Sequence, residues 1–487
     1  MHDLKRPPSA RAGGLRLDYI LLAIVIVYYL LDSLPRFFQG DSISYLTTDY
    51  DLKHWTPPDR SWMFGALVNF LLRRTHGYED YVFLQCGLLV AVLLIIRRTL
   101  SAEGRWPLAA IAAAGLLVAA DPLVEIYVRF VMTDFLATAG FFLGLCAVVA
   151  LVRSGRPATY AAVAVVAFVV AVLMRSSYAL MIEATLALGL LLLRPKLSRP
   201  QIAAIVCVLA AAPAGIGLQL AANRAVFRTA FPHETFLMKN SGVFLAGVFA
   251  PALTPQDFAK VGAPVSQAEF DQLDLKNRAL RNAQIWATAP RFEHQLLKNK
   301  LHRQEDYSAV VDRASKGLVM SAFERNPAGV IGVYLQNAAE YLTPSLWRAS
   351  AEPEMGLDRD LPDSFLDVSN AATARRLPAN ITRMRSILIK EYLALSGRYP
   401  IQIALGLAAA VFLLIRERRS ASCVFLACAA VITLAMAPLY SVYVIPRYIL
   451  MTVLANYVLI PLALASLYRM AVRRLRRPVG VTSGLNI

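Results

Sequence analysis

Charge is scarce in this sequence. Of its 487 residues, 17% are Asp, Glu, Lys or Arg, while 57% are hydrophobic. Soluble domains run nearer a quarter charged, so an ordinary water-soluble globule is excluded. Cysteine is scarce too, with five in all. Cys86, Cys146, Cys207, Cys423 and Cys428 each sit inside an apolar run, away from the loops where a disulfide framework or zinc knuckle would be built. They read as buried free thiols that pack as small hydrophobes. No internal repeat is visible. No small-residue cleavage site follows the basic start and first apolar run; the chain continues Leu34-Pro35-Arg36-Phe37-Phe38, so an uncleaved first span is expected.

What is present is long apolar blocks, such as Tyr19–Leu31, Gln201–Leu220 and Ile449–Leu467. A bilayer core of ~30 Å takes a helix of ~20 residues, and a helix apolar all round for that length belongs in lipid. The expected fold is all-α and integral to the membrane, a bundle of about ten transmembrane helices. The segments are 19–34, 81–96, 107–120, 131–152, 158–174, 178–193, 201–221, 401–415, 421–440 and 448–468.

Basic residues orient the bundle. Segments 1–18, 97–106, 153–157, 194–200, 416–419 and 469–487 together hold 20 Lys/Arg and four Asp/Glu, a balance of +16. The whole chain carries +17. Positive loops stay on the cytoplasmic side, so both termini are expected there. The basicity then reflects topology and not a nucleic-acid surface, which would gather its charge on a folded domain. The expected organisation is a basic N-terminus (1–18), a membrane module of seven spans (19–221) with a first external loop at 35–80, an external domain (222–400), three further spans (401–468) and a basic tail (469–487). The external domain reads as mainly helical. Thr254-Pro255 fits an N-cap with proline in the first turn, Ser266 with Glu269 fits a capping box ahead of a long helical stretch, and 351–380 reads as loop.

Ionisable residues at or near the hydrocarbon are costly and therefore informative. Three places carry them. The first is Gly40-Asp41-Ser42-Ile43-Ser44-Tyr45, followed by Asp59-Arg60-Ser61-Trp62 and an apolar stretch to Leu72. That stretch suits an interfacial helix, with Trp62, Leu67, Phe70 and Leu71 along one face. As a residue type, Asp41 reads equally as a catalytic acid or as a solvated cap of a helix beginning at Ser42. The second is Asp121-Pro122-Leu123-Val124-Glu125 with Arg129 and then Asp134, either a local ion-pair network or paired carboxylates for acid/base or metal chemistry. The third is Arg175, Glu183 and Arg447-Tyr448, where an outer arginine either holds phosphate or snorkels to the interface.

The order of these motifs resembles the GT-C superfold of polytopic glycosyltransferases, which includes protein mannosyltransferases and aminoarabinose transferases. Members carry an acid in the first external loop, as at Asp41. A polar-Arg-aromatic start to an interfacial helix follows, as at Asp59-Arg60-Ser61-Trp62, then a span opening with an acid, as at Thr133-Asp134-Phe135. A large external segment follows span seven; within it Glu324-Arg325-Asn326-Pro327 leads an amphipathic helix. An external Arg-Tyr opens a late span, as at Pro446-Arg447-Tyr448. The usual Arg-Pro-Pro pattern at the interfacial helix reads Asp-Arg-Ser-Trp here.

The resemblance implies a membrane glycosyltransferase, multi-pass in a bacterial-type inner membrane with its active site on the external face. It would move a sugar, with inversion, from a polyprenyl-phosphate donor to an envelope glycan, lipid or protein acceptor. Asp41 and Asp134 are then the catalytic candidates, with Asp41 as base. Arg447, Tyr448 and Arg175 would bind the donor phosphate; Tyr45, Arg60, Asp121 and Glu125 would bind substrate. The resemblance fixes no cofactor and leaves a divalent metal, Mg or Mn, open. The competing readings are an O-antigen polymerase or ligase, which takes a pyrophosphate-linked oligosaccharide, and a transporter or flippase.

Overall fold

A computed structural model describes residues 8–46, 61–75, 77–153, 155–227, 241–275, 307–357, 360–373, 377–441 and 444–475. These residues are overwhelmingly helical, and their only recorded β pairing is an isolated bridge between Arg36 and Phe130. Each of the ten apolar segments falls on a helix. Among the described residues, seven helices are long and apolar enough to cross a membrane: Tyr78–Ala102, Asp134–Arg153, Pro157–Met174, Arg199–Ala225, Ile387–Arg416, Ala421–Leu439 and Pro446–Leu475. Leu108–Ala119 and Pro122–Arg129 make an eighth if taken as one span bent by 50°. The bend has a local cause. Asp121 is extended (φ −79°, ψ 120°) and caps the second helix, and a residue before proline is steered out of the helical region. Two segments remain: Tyr178–Leu193, a shorter apolar helix of 16 residues, and Pro8–Leu31, whose Tyr19, Ile20, Ile26, Val27 and Leu30 are exposed.

The six basic segments meet at one end of the bundle. Asp18 pairs with Arg97, Glu417 takes both Arg105 (3.4 Å) and Arg469 (3.1 Å), and Arg153 Nη2 donates to the Ala102 carbonyl. Pro195 shares a cavity with Arg153 and Arg419. Single cysteines at exposed sites on opposite ends, Gln267→Cys and Arg418→Cys, test the orientation in a background with Cys207→Ser. On intact cells a membrane-impermeant thiol reagent is expected to label the first only. Labelling at position 418 would invert the chain in the membrane.

Two apolar clusters organise the packing. The larger joins the spans and also takes in Tyr341, Trp347, Phe365, Ile381 and Leu388. The smaller gathers Phe249, Phe258, Leu275, Leu318 and Val330. In the smaller cluster, burying such side chains away from water contributes roughly 1.5–3 kcal/mol each; between spans, where lipid is already apolar, close packing holds the helices instead. Region 222–400 is therefore not uniform. Its first part closes on its own apolar centre; from about 341 onward it packs on the bundle, where Trp347 stacks on Tyr399 at 5.1 Å.

Several expectations need correction. Segment 351–380 is largely helical, with the end of Pro344–Glu354, then Asp363–Ala372 and the 3-10 turn Ala379–Arg383. Ser266 and Glu269 do form a capping box, but it heads the five-residue helix Gln267–Asp271; residues 276–306 lie outside those described. The expected helix after Ser61 is Trp62–Thr75, and it carries the expected face: Phe70 is exposed and Trp62, Leu67 and Leu71 partly so, while Phe64, Val68 and Leu72 face inward. Cys207 is exposed, unlike the other four cysteines.

Candidate active site

The segment that follows the first apolar helix is clamped before it reaches Asp41. Arg36 pairs with Asp32 at 3.0 Å and donates to the Met384 carbonyl at 2.9 Å. Its backbone bridges to the turn after Pro122–Arg129: Arg36 N–H donates to Arg129 O (2.8 Å), and Val131 N–H donates to Arg36 O (2.9 Å). The helix Gln39–Leu46 starts from this clamp with Asp41 in its first turn, where the helix dipole favours a carboxylate. Ser42 Oγ accepts from Phe38 N–H and donates to Val131 O, both at 3.0 Å. Tyr45 is buried with its ring 4.6 Å from Phe64. One turn of chain is thus fixed against the strand-like residues that lead to Asp134.

Asp134 opens the helix Asp134–Arg153, so its carboxylate also lies at a helix N-terminus, at the very start of a candidate span. It is ion-paired with Arg175, which caps the C-terminal end of Pro157–Met174, where the dipole favours a cation. Arg447 lies in the 3-10 turn Pro446–Ile449. It is 3% exposed, and a guanidinium so buried has to be paired. Its Nη1 donates to Asp41 Oδ2 at 2.8 Å, and its Nε lies 3.6 Å from Glu354 Oε1. Its face covers the Phe38 ring at 4.5 Å. The Tyr448 ring stands between the two arginines, 4.5 Å from Arg175 and 5.4 Å from Arg447. Aromatic faces attract guanidinium groups at these distances.

Glu354 completes the arrangement. It ends the helix Pro344–Glu354, and Gly356 turns the chain immediately after it with φ +69°. That conformation suits glycine, and a Cβ there would lie 3.2 Å from the Phe37 carbonyl oxygen. Tyr127 Oη donates to Glu354 Oε1 at 2.8 Å. Burial pushes the Glu354 carboxyl above the usual carboxylate range, while Arg447 and the Tyr127 hydrogen bond oppose that rise.

Both carboxylate–arginine pairs line one cavity of about 430 Å³. Tyr45, Ser61, Tyr440 and Tyr448 add polar edges, and Leu173, Met174, Phe244, Leu245 and Leu439 make an apolar wall. Of the residues singled out in the sequence, Asp41, Tyr45, Asp134, Arg175, Arg447 and Tyr448 therefore come together. Arg60 lies outside the described residues. Glu354, Phe38, Ser61 and Tyr440 were not anticipated. The tyrosine run Tyr440…Tyr448 beside Arg447 was a usable signal for the last of them.

Asp121 and Glu125, expected to bind substrate, are not in the lining of this cavity. Asp121 caps Pro122–Arg129 through Val124 N–H (2.9 Å) and accepts from Tyr399 Oη at 3.0 Å and from Tyr457 Oη. Glu125 is paired with Arg129 at 2.8 Å, both fully buried. These groups fasten the bent helix to the last spans. Asp121→Ala removes a cap and leaves two buried tyrosine hydroxyls without an acceptor. It is expected to cost about 2–4 kcal/mol in detergent unfolding with little change in the donor KM of the protein that folds. A raised KM with unchanged stability would return Asp121 to the substrate.

Among the described residues no group of three or more His, Cys, Asp or Glu comes together to hold a metal. Asp41 and Asp134 each face an arginine, a poor setting for a divalent cation.

No family model matches the sequence, and no curated protein matches it. Solved structures do. The chain is similar to the archaeal oligosaccharyltransferase AglB from Archaeoglobus fulgidus in complex with an inhibitory peptide and a dolichol-phosphate. That match has 14% identity and a TM-score of 0.46, over 99% of this chain and 53% of that one, so this chain spans about half the length of AglB. It is also similar to ArnT from Cupriavidus metallidurans bound to undecaprenyl phosphate, with 14% identity, TM-score 0.32, and coverage of 94% of this chain and 78% of that one.

Proposed function

We propose that this chain is a membrane glycosyltransferase of the GT-C type. It takes a sugar from a polyprenyl-phosphate donor and passes it to a glycan, lipid or protein of the cell envelope on the external face. The observation that supports this reading best is the placement of Asp41–Arg447 and Asp134–Arg175 on one cavity, on either side of Tyr448. Transfer from a lipid phosphate needs a base for the incoming hydroxyl and cationic groups for charge that develops on the leaving phosphate. Both are within one hydrogen bond of each other here.

In the proposed step Asp41 takes the acceptor hydroxyl proton as its oxygen attacks the anomeric carbon. The bond from that carbon to the phosphate oxygen breaks on the opposite side, which inverts the centre. The electron pair leaves with the polyprenyl phosphate, held by Arg447 with Tyr448 as a hydrogen-bond donor. Phosphate arriving at Arg447 draws the guanidinium from Asp41 and frees the carboxylate to act. Arg175 adds a second charge, and Asp134 orients it and the acceptor. No step is routed through a metal.

Envelope glycans from cells with and without the protein, compared by mass spectrometry, test the reading. Loss of one sugar from an otherwise intact structure is expected. Loss of a whole polymer with its repeat unit still made would favour the polymerase or ligase reading, and unchanged structures with a mislocated lipid precursor would favour a flippase.

A further inference from the structure

The helix Asp134–Arg153 runs from the candidate active site to the basic end of the bundle. Its 20 residues span ~30 Å at 1.5 Å each. A second cavity, of about 240 Å³, opens at that far end. Glu103, Arg105, Arg153 and Arg419 line it together with Val152 and Leu193.

The acids near this cavity are already engaged. Glu103 accepts from Trp106 Nε1 (3.0 Å), Ser420 Oγ (2.6 Å) and Ser422 N–H (3.0 Å). Glu417 is divided among Arg105, Arg469 and Ser466. Arg153 and Arg419 have no carboxylate partner among the described residues; Arg153 donates only to the Ala102 carbonyl. With Arg105 balanced by Glu417, two guanidinium groups, one held by backbone, therefore share an open cavity with the single carboxylate of Glu103, which pairs with neither of them. Their planar forks suit a phosphate.

The surroundings favour a lipid over a free ion. Lining residue Leu193 follows Leu191 and Leu192, which are exposed on an apolar helix. Ile415, just before the basic turn that carries Arg419, is also exposed. The cavity thus sits where spans emerge from the hydrocarbon, at the depth of a headgroup. We propose that it binds the phosphate headgroup of an anionic phospholipid in the leaflet opposite the candidate active site. Arg153 and Arg419 contact the phosphate, and Leu193 and Val152 contact the start of the acyl region. This site is independent of the glycosyl-transfer reading.

Native mass spectrometry of the purified full chain, exchanged into micelles with defined phosphatidylglycerol or phosphatidylethanolamine, tests it. Phosphatidylglycerol adducts are expected to survive at collision energies that strip phosphatidylethanolamine. Arg153→Ala/Arg419→Ala should weaken phosphatidylglycerol retention about 10- to 30-fold, since each basic contact near an anionic headgroup contributes roughly fivefold. Arg418→Ala, outside the cavity, should change it little. If the double alanine variant does not fold, Arg153→Lys/Arg419→Lys keeps the charge, and a several-fold loss with it supports the same assignment. Equal retention by wild type and either double variant would overturn the proposal. So would inorganic phosphate displacing the lipid at millimolar concentration, because the occupant would then be a soluble anion.

Discussion

Asp41→Asn is expected to insert and fold normally and to transfer sugar about 10²–10⁴-fold more slowly, the range over which a general base contributes. The substitution keeps the size of the side chain and its capacity to accept from Arg447, but it cannot take a proton. Donor affinity should hold or improve, because a neutral amide competes less with phosphate for the guanidinium that Asp41 now occupies at 2.8 Å. That combination, low kcat with an unraised donor KM, separates lost chemistry from lost binding. Asp134→Asn is the internal comparison. It breaks the pair with Arg175 and should act chiefly on KM. Near-normal turnover in Asp41→Asn together with loss of turnover in Asp134→Asn would move the base to the second external turn.

Arg447 carries the second large effect. Arg447→Ala leaves Asp41 and Glu354 facing each other without the cation that both approach. Breaking a buried pair in this way costs about 3–5 kcal/mol, so loss of folded protein and loss of activity would arrive together. Arg447→Lys separates them. An ammonium retains the charge and supports folding, but it lacks the planar fork that holds two oxygens at once. The lysine variant is expected to fold and to raise the donor KM about 10- to 100-fold, the value of one or two hydrogen bonds to a charged group. A normal KM in a folded lysine variant would make Arg447 a structural anchor for the Gln39–Leu46 helix and remove it from the donor site.

Much of this was legible in the sequence because lipid makes its demands plain. Apolar blocks marked the helices, and basic loops marked one end. Asp41, Asp134, Arg175 and Arg447 stood out because a charge near hydrocarbon needs a partner, and the structure shows those partners to be one another. Glu354 stayed hidden. It lies in an acid- and proline-rich stretch that reads as solvated loop, and only the packing of Trp347 on Tyr399 and the turn at Gly356 bury it. Asp121 illustrates the opposite difficulty. Its partners Tyr399 and Tyr457 are 278 and 336 residues away, so local sequence cannot tell a stitch between helices from a ligand for substrate. The inward face of Trp62–Thr75, with Phe64, Val68 and Leu72, was likewise not named. Apolar periodicity finds a helix but does not distinguish the side that meets lipid from the side that meets protein.

The smaller apolar cluster has a consequence for how such a chain can change over time. Ser241, Phe244, Leu245 and Lys316 reach the active-site cavity from helices that close on that cluster, while both carboxylate–arginine pairs are anchored in the bundle. Mutations that reshape this side of the cavity therefore need not disturb the ion pairs. On the proposed function, the two parts are free to diverge at different speeds, slowly at the ion pairs and quickly on the wall lent by the smaller cluster. Exchanging 241–275 with 307–340 between related chains is accordingly the graft most apt to alter what receives the sugar without altering how it is released.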